Sequence, residues 1–165
     1  MPIMCSHRVT GPYRCRHKHP GVEFLYIRQG EGTLHCGHHI VPFAVPVLAW
    51  YPGSAPHGVE VRGTYARWNL IYWPEALDDR VPEFRTLKPP VPFGVAPVPE
   101  QFVSRLDRLF DDIHSEECLN DPYSWRVIAH QIVQLALNFQ RFREAGGLTL
   151  AERPAEGLDP SPAPH

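Results

Sequence analysis

Short apolar runs cut by glycine and proline fill the first 73 residues, and they constrain the fold more than any other feature. Glu23-Phe24-Leu25-Tyr26-Ile27 is aromatic and β-branched and closes on Gly30-Glu31-Gly32. Thr33-Leu34-His35-Cys36 follows and turns at Gly37. Further runs occupy residues 45–51, 59–62 and 65–73, with Pro52-Gly53 the clearest turn between them. Many short strands at this spacing, with no helical pattern in between, predict an antiparallel sandwich or barrel and argue against a parallel α/β fold.

The period then changes. Residues 74–99 carry Pro74, Pro82, Pro89, Pro90, Pro92, Pro97 and Pro99. Proline cannot donate to a sheet ladder and breaks helix interiors, so an extended connection packing on the barrel is expected here. From Glu100 the apolar positions Phe102, Val103, Leu106, Leu109, Phe110 and Ile113 follow one helical face. Asp121-Pro122 reads as a helix start, an N-cap residue followed by a proline tolerated in the first turn. Behind it Ile128, Ile132, Leu135, Phe139 and Phe142 alternate in steps of three and four, and Gly146-Gly147 ends the pattern. A helix pair is thus expected over 100–145. The second stripe has two readings: it packs on the barrel and the first helix, or it is the seam of a homodimer. Residues 146–165 hold four prolines and no apolar period, and read as a linker or disordered tail. The expected organisation is a β core over 1–73, a connection over 74–99, a helical element over 100–145 and a tail.

Charge and cysteine content narrow the function classes. Sixteen basic residues against 18 acidic ones give a net charge of −2, so these residues have no general attraction for a phosphate backbone. Cys5, Cys15, Cys36 and Cys118 are scattered without a C-x-x-C pair. That argues against a zinc ribbon or a disulfide framework and for a reducing, cytoplasmic setting. No apolar run reaches the roughly 20 residues that span a bilayer, so no membrane partner is expected.

The chemistry concentrates in the histidines, of which there are 10. His17, His19 and Glu23 fall at odd positions in a strand-like stretch, and alternation places them on one face together with Leu25 and Ile27. Two imidazoles and a carboxylate in an apolar interior need compensation, because unpartnered buried polar groups are costly. A divalent ion supplies it, and this ligand type suits Zn, Ni, Fe or Mn. His57, after the turn Pro52-Gly53-Ser54-Ala55-Pro56, is the candidate fourth ligand. A hydrogen-bonded cluster without metal is the other reading.

Gly11, His17, His19, Glu23 and Gly30 resemble the first cupin motif at every fixed position. Pro52 and His57 match the second motif, which is otherwise degenerate: Pro46, Ser54 and Val61 stand where Gly, Gly and Asn are usual. The resemblance implies a cupin double-stranded β-helix barrel and a metal held by His17, His19, Glu23 and His57. The run from His17 through Leu34, then Pro52-Gly53 to Pro56-His57, is similar more specifically to the N-terminal effector-binding domain of AraC-type transcription regulators. That likeness implies a mainly β cupin barrel followed by two helices, the second pairing between subunits. It also implies a small-molecule effector, and DNA contact only through a C-terminal domain with no counterpart here. For the effector, His35, Trp50, Arg67 and Tyr72 are the expected contacts, and no catalytic residue is assigned. The alternative class is a small metal-dependent cupin enzyme of dioxygenase or isomerase type, since three His and one Glu leave metal positions open.

Overall fold

The structure, a computed structural model, describes residues 3–82, 84 and 93–146. In chain order its elements are β1 (Ile3–Thr10), β2 (Tyr13–His17), β3 (Val22–Cys36), β4 (His39–Phe43), β5 (Val47–Tyr51), β6 (His57–Tyr72), α1 (Pro74–Arg80), β7 (Gly94–Pro97), α2 (Glu100–Leu119) and α3 (Ser124–Gly146). The strands form one antiparallel sheet in the order β1-β6-β3-β5-β7, with β2 added to β6 and β4 to β3. The molecule is mainly β with helices following, as expected.

Two strands organise the barrel. β3 and β6 pair along their whole length, from Val22↔Tyr72 to Cys36↔His57. The 22–27 and 65–72 halves lie beside β5 and β1, while the 32–36 and 57–61 halves lie beside β4 and β2. The register slips between Ile27 and Glu31, where Gly30 takes φ +131, a conformation that side chains other than glycine rarely reach. The strand expected to stop at Gly30-Glu31-Gly32 therefore bends and continues. The runs at 59–62 and 65–73 are likewise halves of one strand, bent at Gly63 with φ +72.

Along the 22–27 and 65–72 halves both faces of the sheet are buried, against different things. Leu25, Ile27, Leu34, Val59, Val61 and Tyr65 point into the barrel and form one apolar cluster. Their neighbours Phe24, Tyr26, Trp68, Leu70 and Tyr72 point outward and join a second cluster with the helices. α2 lays Phe110 on Tyr26 and Trp68 at ring separations of 5.6 and 6.0 Å. α3 lays Phe139 edge-on against Phe24 at 6.2 Å.

That second cluster corrects the expected dimer seam. Ile128, Ile132, Leu135, Phe139 and Phe142 are all at most 2% exposed within the single chain. They face the apolar outer side of the sheet and α2, so they present no surface to a second copy. The connection over 74–99 is also corrected, because it is not uniformly extended. Pro74 opens α1, where a missing N–H costs nothing, and Pro97 ends the edge strand β7, where proline is tolerated. Pro89, Pro90, Pro92 and the expected tail beyond Gly146 lie outside the described residues. Asp121 acts as the expected cap: its Oδ1 accepts from the backbone N–H groups of Tyr123 and Ser124 at 2.8 and 2.7 Å.

Candidate metal centre

Four side chains meet at one end of the barrel. His17 ends β2, His57 starts β6 opposite it, and Glu23 is the second residue of β3. His19 sits in the loop between β2 and β3, so the expected continuous strand over 17–23 is two strands and a turn. The turn preserves the convergence. Gly53 makes this possible, since a Cβ there would collide with the carbonyl oxygens of Pro20 and Gly21. The loop before His57 is thereby pressed against the loop that carries His19.

The geometry is focused on one atom. Glu23 Oε2 lies 3.3 Å from His17 Nε2, 3.0 Å from His19 Nε2 and 3.0 Å from His57 Nε2. All four donor atoms fall within 4.8 Å of one another. Glu23 and His57 are each 1% exposed, while His17 opens to solvent at the rim. Tyr51 stacks on His57 at 4.7 Å and donates its hydroxyl to the Gly58 carbonyl at 3.3 Å. The sequence gives Tyr51 no role: every residue of its strand is buried, and only the β3–β5 register sets it opposite Glu23.

Charge explains the arrangement. Burial pushes the Glu23 carboxyl up, but hydrogen bonds from His17, His19 and His57 override it and hold the group well below the usual carboxylate range. Burial alone lowers His57; the bond to Glu23, and after it the Ala55 carbonyl, raise it on balance. His57 Nδ1 donates to the Ala55 carbonyl at 2.8 Å, which fixes the ring and aims Nε2 at the focus. Three nitrogens directed at one oxygen oversubscribe its two lone pairs. A divalent ion at that focus would take the three imidazole lone pairs and the carboxylate together, so the donor set fits a metal.

The four expected effector contacts divide. Arg67 points into the barrel side of the sheet, its guanidinium 5.1 Å above the Tyr13 ring. Trp50 and Tyr72 belong to the outer, helix-covered cluster and do not line the barrel. His35 also faces outward, bonded to Thr33 Oγ1 at 3.0 Å and within reach of the charges of Arg16 and Glu60. The reason is alternation: Leu34 and Cys36 take the inward positions.

A bent antiparallel barrel with a three-histidine, one-glutamate cluster at its mouth and a helix pair on one face defines a cupin domain of the kind that carries helices behind it. The family model of the AraC-like ligand binding domain matches residues 5–124, and the chain belongs to that family. Among solved structures it resembles the AraC-like transcriptional activator CuxR, with a TM-score of 0.55 and 11% identity, covering 82% of this chain and 52% of that one. It also resembles ToxT from Vibrio cholerae O395 bound to (E)-4-(8-methylnaphthalen-1-yl)but-3-enoic acid, with a TM-score of 0.52 and 7% identity over 91% of this chain and 60% of that one. A cupin superfamily protein from Desulfitobacterium hafniense DCB-2 matches 43% of this chain and 67% of its own, at 12% identity and a TM-score of 0.41. The chain thus spans little more than half of the two activators. No curated protein matches it in sequence. No described helix is long and apolar enough to cross a membrane.

Proposed function

We propose that the chain is the effector-sensing and dimerisation module of a cytoplasmic AraC-type transcription regulator. His17, His19, Glu23 and His57 hold a divalent ion, and a small-molecule effector enters the same barrel. The observation that carries this reading is the convergence of four ligand-type donors within 4.8 Å, on a sheet whose opposite face is packed under a helix pair. Binding at the centre biases that packing only by its differential affinity for two arrangements. DNA contact belongs to a separate domain of the intact regulator, in keeping with the net charge of −2 here.

Dimerisation uses the opposite side of α3 from the stripe first expected. Tyr123, Val127 and Leu137 are exposed and spaced along one helical face, with Leu119 exposed at the end of α2. Leu137→Arg is expected to turn a homodimer into a monomer in size-exclusion chromatography coupled to light scattering. A wild-type monomer at micromolar concentration defeats this half of the proposal.

Elemental analysis of protein purified without added metal tests the centre: about one ion per chain is expected, and a near-empty site in His17→Ala. Equal content in both defeats the four-ligand assignment. Sequencing of genomic DNA recovered by the full-length gene product tests the regulator reading, which fails if no fragment rises above the control. The same donor set favours a metal-dependent cupin enzyme as the second reading. Substrate turnover that is lost in His17→Ala, with no DNA recovered, selects the enzyme.

A further inference from the structure

A second polar group is buried in this barrel, and the metal centre does not use it. Arg67 is 8% exposed and sits on β6 directly opposite Arg8 of β1. Paired residues of an antiparallel ladder share a face, and like charges placed opposite each other destabilise it. Among the described residues neither arginine has a carboxylate partner, whereas Arg14 and Arg28 pair with Glu60 and Asp107.

What surrounds Arg67 is aromatic. Its guanidinium carbon lies 5.1 Å from the Tyr13 ring centre and 5.3 Å from that of Tyr65, and the two rings are stacked 5.5 Å apart. Two aromatic faces stabilise the cation and the Tyr13 hydroxyl shares a hydrogen bond with it, but no carboxylate among the described residues neutralises it. Tyr65 is 1% exposed, and its hydroxyl is buried without a hydrogen-bond partner. Burial pushes that phenol up against the opposing pull of Arg67, so it stays a neutral donor. Tyr13 also lines a cleft of about 380 Å³ at the β1–β2 turn, whose rim carries Arg14 and Arg62 against the single carboxylate of Glu60. A buried cation, an unpartnered donor and a basic rim describe a receptor for negative charge.

We propose that Arg67, with the Tyr65 hydroxyl beside it and Tyr13 at the entrance, binds the carboxylate of an organic effector. The planar guanidinium fork matches two carboxylate oxygens, which would supply the negative partner that Arg67 lacks. This rests on the barrel being the effector site and adds the chemical class of what enters it and the residue that selects it.

Thermal unfolding of the whole chain in sodium acetate, benzoate, phosphate or chloride at equal ionic strength provides the test. Acetate or benzoate at about 20 mM is expected to raise the wild-type Tm by about 2–4 °C over chloride. Arg67→Met abolishes that rise. Tyr65→Phe keeps the ring, leaves the ligand-free Tm unlowered and weakens carboxylate affinity about 3–10-fold. A rise in phosphate alone overturns the carboxylate class. No rise with any anion, or an equal rise in Arg67→Met, overturns the site. If Arg67→Met fails to fold, Tyr65→Phe decides, and an unchanged affinity there sinks the proposal. The regulator reading fails separately, through metal content and DNA recovery, neither of which depends on Arg67.

Discussion

The two faces of one sheet carry opposite kinds of order. On the outer face Phe24, Tyr26, Trp68 and Leu70 meet α2 and α3 in a mainly apolar contact, held by close packing, with Cys5–Glu117 and Arg28–Asp107 as polar links at its edge. On the inner face the same strands bring Glu23, His57 and Arg67 to less than a tenth exposure among apolar residues. Burial alone opposes charge there, and each group persists through its partners: three imidazoles for Glu23, a carboxyl and a carbonyl for His57, two aromatic rings for Arg67. The outer face sets stability, and the inner face holds chemistry.

Substitutions can break that division. Phe139→Ala removes a ring 2% exposed that reaches both Phe24 and the Gly94 backbone, and is expected to cost about 3–5 kcal/mol in urea unfolding while leaving metal content per folded chain unchanged. Loss of metal from the folded fraction would show the two faces to be one unit. Gly53→Ala drives a methyl into the Pro20 and Gly21 carbonyls and displaces the His57 loop. A fall of about 10–100-fold in zinc affinity is expected by competition with a chelator. An unchanged affinity would show that the loop contact does not position the ligand.

Tyr51→Phe keeps the stack on His57 and loses only the bond to Gly58, so about 1 kcal/mol of stability is expected to go, with metal retained. Asp121→Ala, at the exposed start of α3, should give the smallest change, a slight fall in Tm. Backbone and side-chain bonds from Ser124 hold the Asp121 carboxyl below its ordinary value. Its contribution is therefore complete above the unfolded value of about 3.9 and fades as pH falls through the lower folded value. Wild type and Asp121→Ala should converge in Tm toward pH 3; a gap that widens on acidification would contradict the cap.

What the sequence made legible follows from the reach of each rule. Parity placed Glu23 with Leu25 and Ile27, and the structure puts all three on the inner face. It was silent on the 47–51 run, because Val47, Leu48, Ala49, Trp50 and Tyr51 are all buried and leave no alternation to read. Trp50 was therefore expected in the barrel and lies behind it. The α3 stripe showed that an apolar partner exists, and only the outward parity of Phe24 and Tyr72, known once the strands are aligned, shows that the partner is the chain's own sheet. Gly30 and Gly63 read equally well as turns or as bends; long-range pairing of β3 with β6 decides for bends.

The alternation along β3 has a mechanical corollary. Glu23, whose oxygen gathers three histidines, is joined by a single peptide bond to Phe24, on which Phe139 of α3 rests. Successive residues of a strand are about 3.3 Å apart and rigidly coupled in tilt. A displacement of the carboxylate thus needs no relay of side chains to be felt on the helices: sensor and lever are adjacent links of one backbone.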